Sequence, residues 1–101
     1  MTRRVDLWLW YARFAKTRSL AARLCSEGLV TVNGSTVDKA ASVRVGDTVS
    51  VPQGRVRRTI EVRALGERRG PPAEARQLYN EPAPPRPLHE PIPWERLLDI
   101  D

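Results

Sequence analysis

The chain has 101 residues, 41% of them hydrophobic and 29% charged, with a formal net charge of +5 at pH 7. That length supports one modest domain and excludes two, and a domain so small has little interior for an enclosed substrate pocket. Cys25 is the only cysteine, which excludes an intramolecular disulfide; His89, the only histidine, lies far from it with no metal-ligand spacing, so no metal, cofactor or catalytic centre is expected.

The charge is unevenly divided. Residues 1–76 hold fifteen Lys/Arg and seven Asp/Glu, net +8, whereas residues 77–101 hold two Arg and five acids, net −3. A basic body with an acidic tail points to a polyanionic partner, nucleic acid before others, against the plainer alternative of a solvated basic surface. The apolar run near the N-terminus is broken by Asp6 and Arg13, which excludes a secretory segment and a membrane span, so a soluble cytoplasmic protein is expected.

Along the chain, Val5, Trp8, Leu9 and Ala12 fall at the spacing of one buried helical face. Leu7, Trp10, Tyr11 and Phe14 repeat that spacing on a second face, which must be covered by another part of the chain or offered to a partner. Trp94, Leu97 and Leu98 are the candidates to cover it. Next come Arg13, Lys16 and Arg18, interleaved with Thr17 and Ser19. Thr17 is a good N-cap for a second helix over about residues 18–27, whose first-turn amides favour an anion. Leu20, Ala21, Leu24 and Cys25 form its inward face, Arg23 points outward, and Gly28 is the expected left-handed terminator. A phosphate would then meet Arg13, Lys16, Arg18 and Arg23 beside a helix N-terminus.

Val30 and Val32 alternate with Thr31 ahead of Asn33-Gly34, the pair a type I′ hairpin turn prefers because both central residues need positive φ. Thr36 and Val37 begin the return strand. Lys39 lies in a loop, residues 43–45 are a short extended piece, Gly46-Asp47 turns into a strand at 48–51, and Pro52-Gln53-Gly54 reads as another turn. From 57 to 65, Ile60, Val62 and Ala64 alternate with Arg57, Thr59, Glu61 and Arg63, as in a strand with one wet face. Pro71-Pro72 opens a short helix through about Tyr79. Beyond it, residues 81–93 contain six prolines in thirteen positions, which suits extended polyproline II or a tether.

R-x-D-x-x-L at Arg4, Asp6 and Leu9, K-T-R-S at Lys16 to Ser19, and V-x-V-N-G at Val30 to Gly34 resemble the S4 RNA-binding domain. More narrowly, W-L-W-x-A-R-F-x-K-T-R-S-L-A from Trp8 to Ala21, with R-R-G-P and E-A-x-x-L-Y between Arg68 and Tyr79, is similar to stand-alone ribosome-associated heat-shock proteins of the Hsp-fifteen type. The resemblance implies an α+β fold of the αL type: a two-helix hairpin on a small, curved, mostly antiparallel sheet, with a short C-terminal helix and a proline-rich tail. It divides the chain into an RNA-binding domain at 1–79 and an acidic tail at 80–101.

The resemblance also implies binding to ribosomal RNA on the large ribosomal subunit, with peptidyl-transfer RNA as a further partner, in rescue or recycling of stalled subunits; a monomer is expected. Carried onto this sequence, Arg4, Arg13, Lys16, Arg18 and Arg23 meet phosphate, Thr17 and Ser19 fix the elbow and donate single hydrogen bonds, Asn33 and Gly34 set the turn, and Lys39 is a peripheral contact. Asp6, acidic on a basic face, holds a neighbouring arginine. Two departures stand out: Leu7 replaces the lysine usual in heat-shock members, and the tail is short, proline-rich and acidic where several relatives carry a long basic helix. General structured-RNA binding, duplex-DNA binding and a proline-tail protein adaptor are the competing readings.

Overall fold

The computed structural model describes residues 1–88. Its elements in chain order are β1 (Arg3–Arg4), α1 (Val5–Tyr11), α2 (Arg18–Ser26), β2 (Thr31–Val32), β3 (Ser35–Thr36), β4 (Ser42–Val43), β5 (Thr48–Gln53), β6 (Val56–Val62), α3 (Pro72–Ala75), a 3₁₀ turn (Arg76–Leu78), β7 (Tyr79–Asn80) and β8 (Arg86–Pro87). β1 pairs with β4, and the larger sheet runs β3-β2-β5-β6-β7 with β8 also on β6; every pairing is antiparallel. This is the expected α+β architecture, a helix pair on a small antiparallel sheet.

The core lies where the helical and strand periods predict. Val5, Trp8, Leu9 and Ala12 of the first face are 0–3% exposed, and Leu20, Ala21, Leu24 and Cys25 of α2 are equally enclosed. They meet Val30, just ahead of β2, and Val43, Val49, Val51, Ile60 and Val62 from the strands. Burying such side chains contributes roughly 1.5–3 kcal/mol each before chain entropy is set against it.

Both helices end in the same hydrogen-bond pattern. At α1, Phe14 N–H donates to Leu9 O (2.9 Å) and Arg13 N–H to Trp10 O (3.1 Å); at α2, Leu29 N–H donates to Leu24 O (3.0 Å) and Gly28 N–H to Cys25 O (3.0 Å). These are Schellman caps, which place one residue in the left-handed region. Gly28 (φ 74°) fills that position after α2, and Arg13 (φ 66°) fills it after α1.

The hairpin turn has Asn33 and Gly34 at φ 52° and 85°, as the type I′ reading requires. Asn33 does more than turn the chain. Its Oδ1 accepts Thr48 N–H (2.9 Å) and its Nδ2 donates to Asp47 (3.1 Å), which pins the hairpin to the start of β5.

One local expectation is corrected and two are extended. Pro52 and Gln53 belong to β5, so the turn comes later, at Gly54; β2 pairs with β5 only at Val49 and Ser50, which leaves Pro52 on an edge where its missing N–H costs little. The short extended piece expected at residues 43–45 falls at Ser42–Val43 and pairs with β1, a segment with no sequence signal of its own, through Arg3↔Val43 and Arg4↔Ser42. The described part of the proline-rich stretch runs back along β6. Tyr79–Asn80 pairs with Val62 and Glu61, and Arg86–Pro87 pairs with Arg57 and Val56. Three residues of β6 thus face five of the returning segment, which bulges between the two patches.

The second stripe of α1 is partly covered from within the described residues, with Leu7, Trp10 and Tyr11 half-buried. Phe14 is buried, edge-on to Tyr79 at 4.7 Å between ring centroids. Arg3 lies 5.9 Å from the Tyr11 ring, and Arg69 5.7 Å from that of Trp10. Trp94, Leu97 and Leu98, the residues expected there, lie outside the described residues.

Candidate nucleic-acid interface

The elbow between α1 and α2 follows from its sequence. The left-handed turn at Arg13 ends α1, and Thr17 starts α2 by accepting Leu20 N–H on its Oγ1 at 3.0 Å. Lys16, Arg18 and Ser19 are exposed around that start. The amides of Arg18 and Ser19 have no acceptor within the helix, as at any helix N-terminus, and carry its partial positive charge.

A groove of about 390 Å³ opens beside it, with Arg13, Lys16 and Arg69 as cationic walls, Phe14 and Leu20 beneath, and Gln53 at one side. The structure therefore brings Arg13 and Lys16 together and adds Arg69 and Gln53, neither of which the sequence reading had assigned a role. R-R-G-P was the available signal for Arg69, since it was part of the family pattern. Burial, with the Arg13 charge close by, lowers the Arg69 pKa from its usual value, and arginine remains cationic at neutral pH.

Arg23 does not join this cluster. It sits in the last turn of α2, within 3.8 Å of Glu27, and shares a second, shallower groove with Ser26 and Lys39. Arg4 is also separate: its guanidinium makes a paired contact with the buried Asp6 carboxylate (3.1 and 2.9 Å) and donates to Lys39 O at 3.3 Å. Asp6 thus holds an arginine, as expected, and also accepts Leu7 N–H (2.8 Å) at the start of α1. Asn33 and Gly34 are exposed at the hairpin tip, with the Asn33 amide engaged as described above.

Several arginines are structural staples between α1, the elbow and residues 64–70. Arg3 donates to Gly66 O (2.7 Å), Arg13 Nε to Gly70 O (2.8 Å), and Arg69 to Trp10 O (3.1 Å) and Ala15 O (3.5 Å); Trp8 Nε1 donates to Ala64 O (2.9 Å). Below the elbow, Arg58 lies over Phe14 (4.8 Å), grips both oxygens of Glu81 (2.9 and 2.8 Å) and donates to Gln53 Oε1 (2.7 Å). Gln53 in turn donates to Arg13 O at 3.3 Å. The hydrogen bond from Arg58 holds the Glu81 carboxyl below its usual pKa, and that same contact raises Arg58 further.

No group of three His, Cys, Asp or Glu suited to a metal ion occurs among the described residues, and no described helix is long and apolar enough to cross a membrane. The arrangement offers cations, amides and a groove, which is equipment for holding an anion.

Comparison with known proteins agrees with this outline. Residues 3–49 match the S4 domain family. The chain is 42% identical to heat shock protein 15 of Escherichia coli (strain K12) over 80 residues, 79% of this chain and 60% of that protein, so it spans only part of that relative's length. It is 37% identical to the heat shock protein 15 homolog of Haemophilus influenzae, covering 92% of this chain and 71% of the relative. A 33% match covers 63% of this chain and 73% of the RQC P-site tRNA stabilizing factor of Halalkalibacterium halodurans. Among solved structures, heat shock protein 15 of Vibrio cholerae, described as trimeric, superposes with a TM-score of 0.78 at 40% identity over 82% of this chain and 84% of that one.

Proposed function

We propose, from the premise that this chain belongs to the heat shock protein 15 family of S4-domain proteins, that it binds structured ribosomal RNA on the large ribosomal subunit in rescue or recycling of stalled subunits under stress. The observation that carries the reading is the elbow, where exposed Lys16 and Arg18 flank a helix N-terminus beside a groove walled by Arg13 and Arg69. Amides, helix dipole and cations converging on one place suit phosphate oxygens. Helical RNA is read largely through backbone, shape and 2′-hydroxyls, which asks for such a surface rather than a base-reading helix.

In this reading Lys16 and Arg18 are the principal phosphate contacts and Arg13 contributes from the groove wall. Ser19 donates a single hydrogen bond, while Thr17, Asn33 and Gly34 hold the local shape. Arg23 and Lys39, with Arg4 tied to Lys39's backbone, form a second and weaker contact on the other end of α2. The likeness to a factor named for stabilising P-site transfer RNA supports transfer RNA as an additional partner. A cytoplasmic location and a non-catalytic role go with this function. A monomer is the expected binding form, against the trimer of the Vibrio cholerae relative, and light scattering on the purified protein decides between them.

Co-sedimentation with isolated small subunits, large subunits and intact ribosomes at two salt concentrations tests the proposal. Salt-sensitive binding selective for large subunits is the expected result. Equal binding to all three reduces the function to general RNA binding, and equal competition by duplex DNA of matched length overturns the preference for RNA.

A further inference from the structure

The elbow is shaped by residues that lie beyond the S4-matched segment. Arg13 holds a left-handed conformation that most side chains avoid. Around it are the carbonyl of Trp10, at the negative end of α1, and those of Arg13 and Ala15 in the turn that follows, unfavourable neighbours for phosphate. Each carbonyl is met by a side chain from outside residues 3–49: Arg69 donates to Trp10 O and Ala15 O, and Gln53 donates to Arg13 O. Gln53 is oriented by Arg58, and Arg58 by both oxygens of Glu81.

We propose that Glu81, Arg58, Gln53 and Arg69 are positioning residues for RNA binding, a relay that fixes the Arg13 turn and thereby sets the geometry in which Lys16 and Arg18 are presented. The inference rests on the elbow being the RNA site. Arg69 acts as a cap on two carbonyls at once, which its planar fork permits and a lysine ammonium does not reproduce. Glu81 acts at the far end of the relay, from the bulge in the segment returning along β6, and does not line the groove.

Glu81 gives the relay a test with opposite signs. A carboxylate on a protein that binds a polyanion opposes binding through its long-range field, so by charge alone its removal tightens the complex. If the relay operates, its removal loosens the complex, because Gln53 and the Arg13 carbonyl lose their anchor.

The experiment measures affinity of the full chain for purified large ribosomal subunits over a series of salt concentrations, for wild type, E81A, R69K, R18A and K16A. E81A and R69K are each expected to weaken binding about fivefold, the size of a typical coupling through packed neighbours, with the slope against log salt unchanged. R18A is expected to weaken binding and to flatten that slope by roughly 0.7–0.9, the signature of one lost phosphate contact. Tighter or unchanged binding by E81A, wild-type affinity in R69K, or a slope change in R69K equal to that of R18A overturns the relay. Wild-type affinity and slope in both R18A and K16A would show instead that the elbow is not the site, and the relay falls with it. Circular dichroism confirms folding; if E81A does not fold, Q53A, a neutral change in the middle of the relay, is read in its place with the same expected loss.

Discussion

The ends of α1 and α2 share a capping pattern and differ in what occupies its left-handed position. After α2 the residue is Gly28, which adopts that conformation without a Cβ penalty. After α1 it is Arg13, for which the same conformation costs about 1–2 kcal/mol. The offset is visible: Arg13 Nε donates to Gly70 O, its carbonyl accepts from Gln53, and Arg69 closes over the neighbouring carbonyls. The α2 end has a solvent-exposed Arg23–Glu27 pair, the kind of contact that contributes little. One helix end is a simple stop; the other is a strained turn held from several sides, and the cations converge on the strained one.

The largest expected effect separates the two ends by function. Replacing Arg13, Lys16 and Arg18 together by Ala should weaken binding to large subunits by about a hundredfold or more and flatten the salt slope by roughly 2. Replacing Arg23 and Lys39 at the other end should weaken it by less than about tenfold. Salt titration of co-sedimentation reads both, and equal losses would erase the functional distinction.

A second effect concerns stability. Glu81 has a lowered pKa in the folded chain because Arg58 donates to it. Its contribution is therefore fully present above the unfolded glutamate value of about 4.3 and is lost as pH falls through the lower folded value. E81Q should cost about 1–2 kcal/mol at pH 7 in urea denaturation, with the gap from wild type closing toward pH 3. A gap that does not change with pH would mean the carboxylate's charge is irrelevant to the brace.

Third, G28A should destabilise the protein by about 1 kcal/mol. A Cβ there would meet only Thr36 Cγ2 at 3.6 Å, an ordinary contact, so the cost is conformational. R13G should change stability by less than about 0.5 kcal/mol, because relief of backbone strain is set against loss of the Gly70 contact. A large loss in R13G would show that the side-chain anchor outweighs the backbone. The smallest effect is kinetic: burial, reinforced by the Asp6 and Asp38 carboxylates, pushes the Cys25 thiol up to about 12, so at pH 8 it reacts only when that region opens. Labelling should speed up several-fold in G28A and not in R13G.

The parts of the molecule legible in the sequence are those with a period or a dedicated residue type. The α1 and α2 faces repeat at helical spacing, Thr17 and Gly28 bracket α2, Asn33-Gly34 names its turn, and Pro72 opens α3. β1, β4, β7 and β8 are two residues long, too short to show alternation, and exist because of partners distant in sequence. Pro52-Gln53-Gly54 reads as a turn by residue type, yet proline is excluded only from a central strand, and the end of β5 is an edge. At the elbow, the positions of the cations were legible and their commitments were not. Arg4, Arg13 and Arg69 all donate to groups within the chain, and an arginine's choice between a carbonyl and a phosphate leaves no mark on local sequence.

The segment that returns along β6 has a bearing on colloidal behaviour. A long unpaired strand edge invites another chain to add itself, and β6 would present one across seven residues. The segment laid against it carries Pro82, Pro84, Pro85 and Pro87, which have no amide hydrogens to offer an incoming strand, and its bulge breaks the straight run that such docking needs. At the opposite margin, β3 is only two residues long. Among the described residues, the long edge of β6 is thus guarded by chemistry and the β3 margin by brevity, which limits the straight, amide-rich edge that an incoming strand could use.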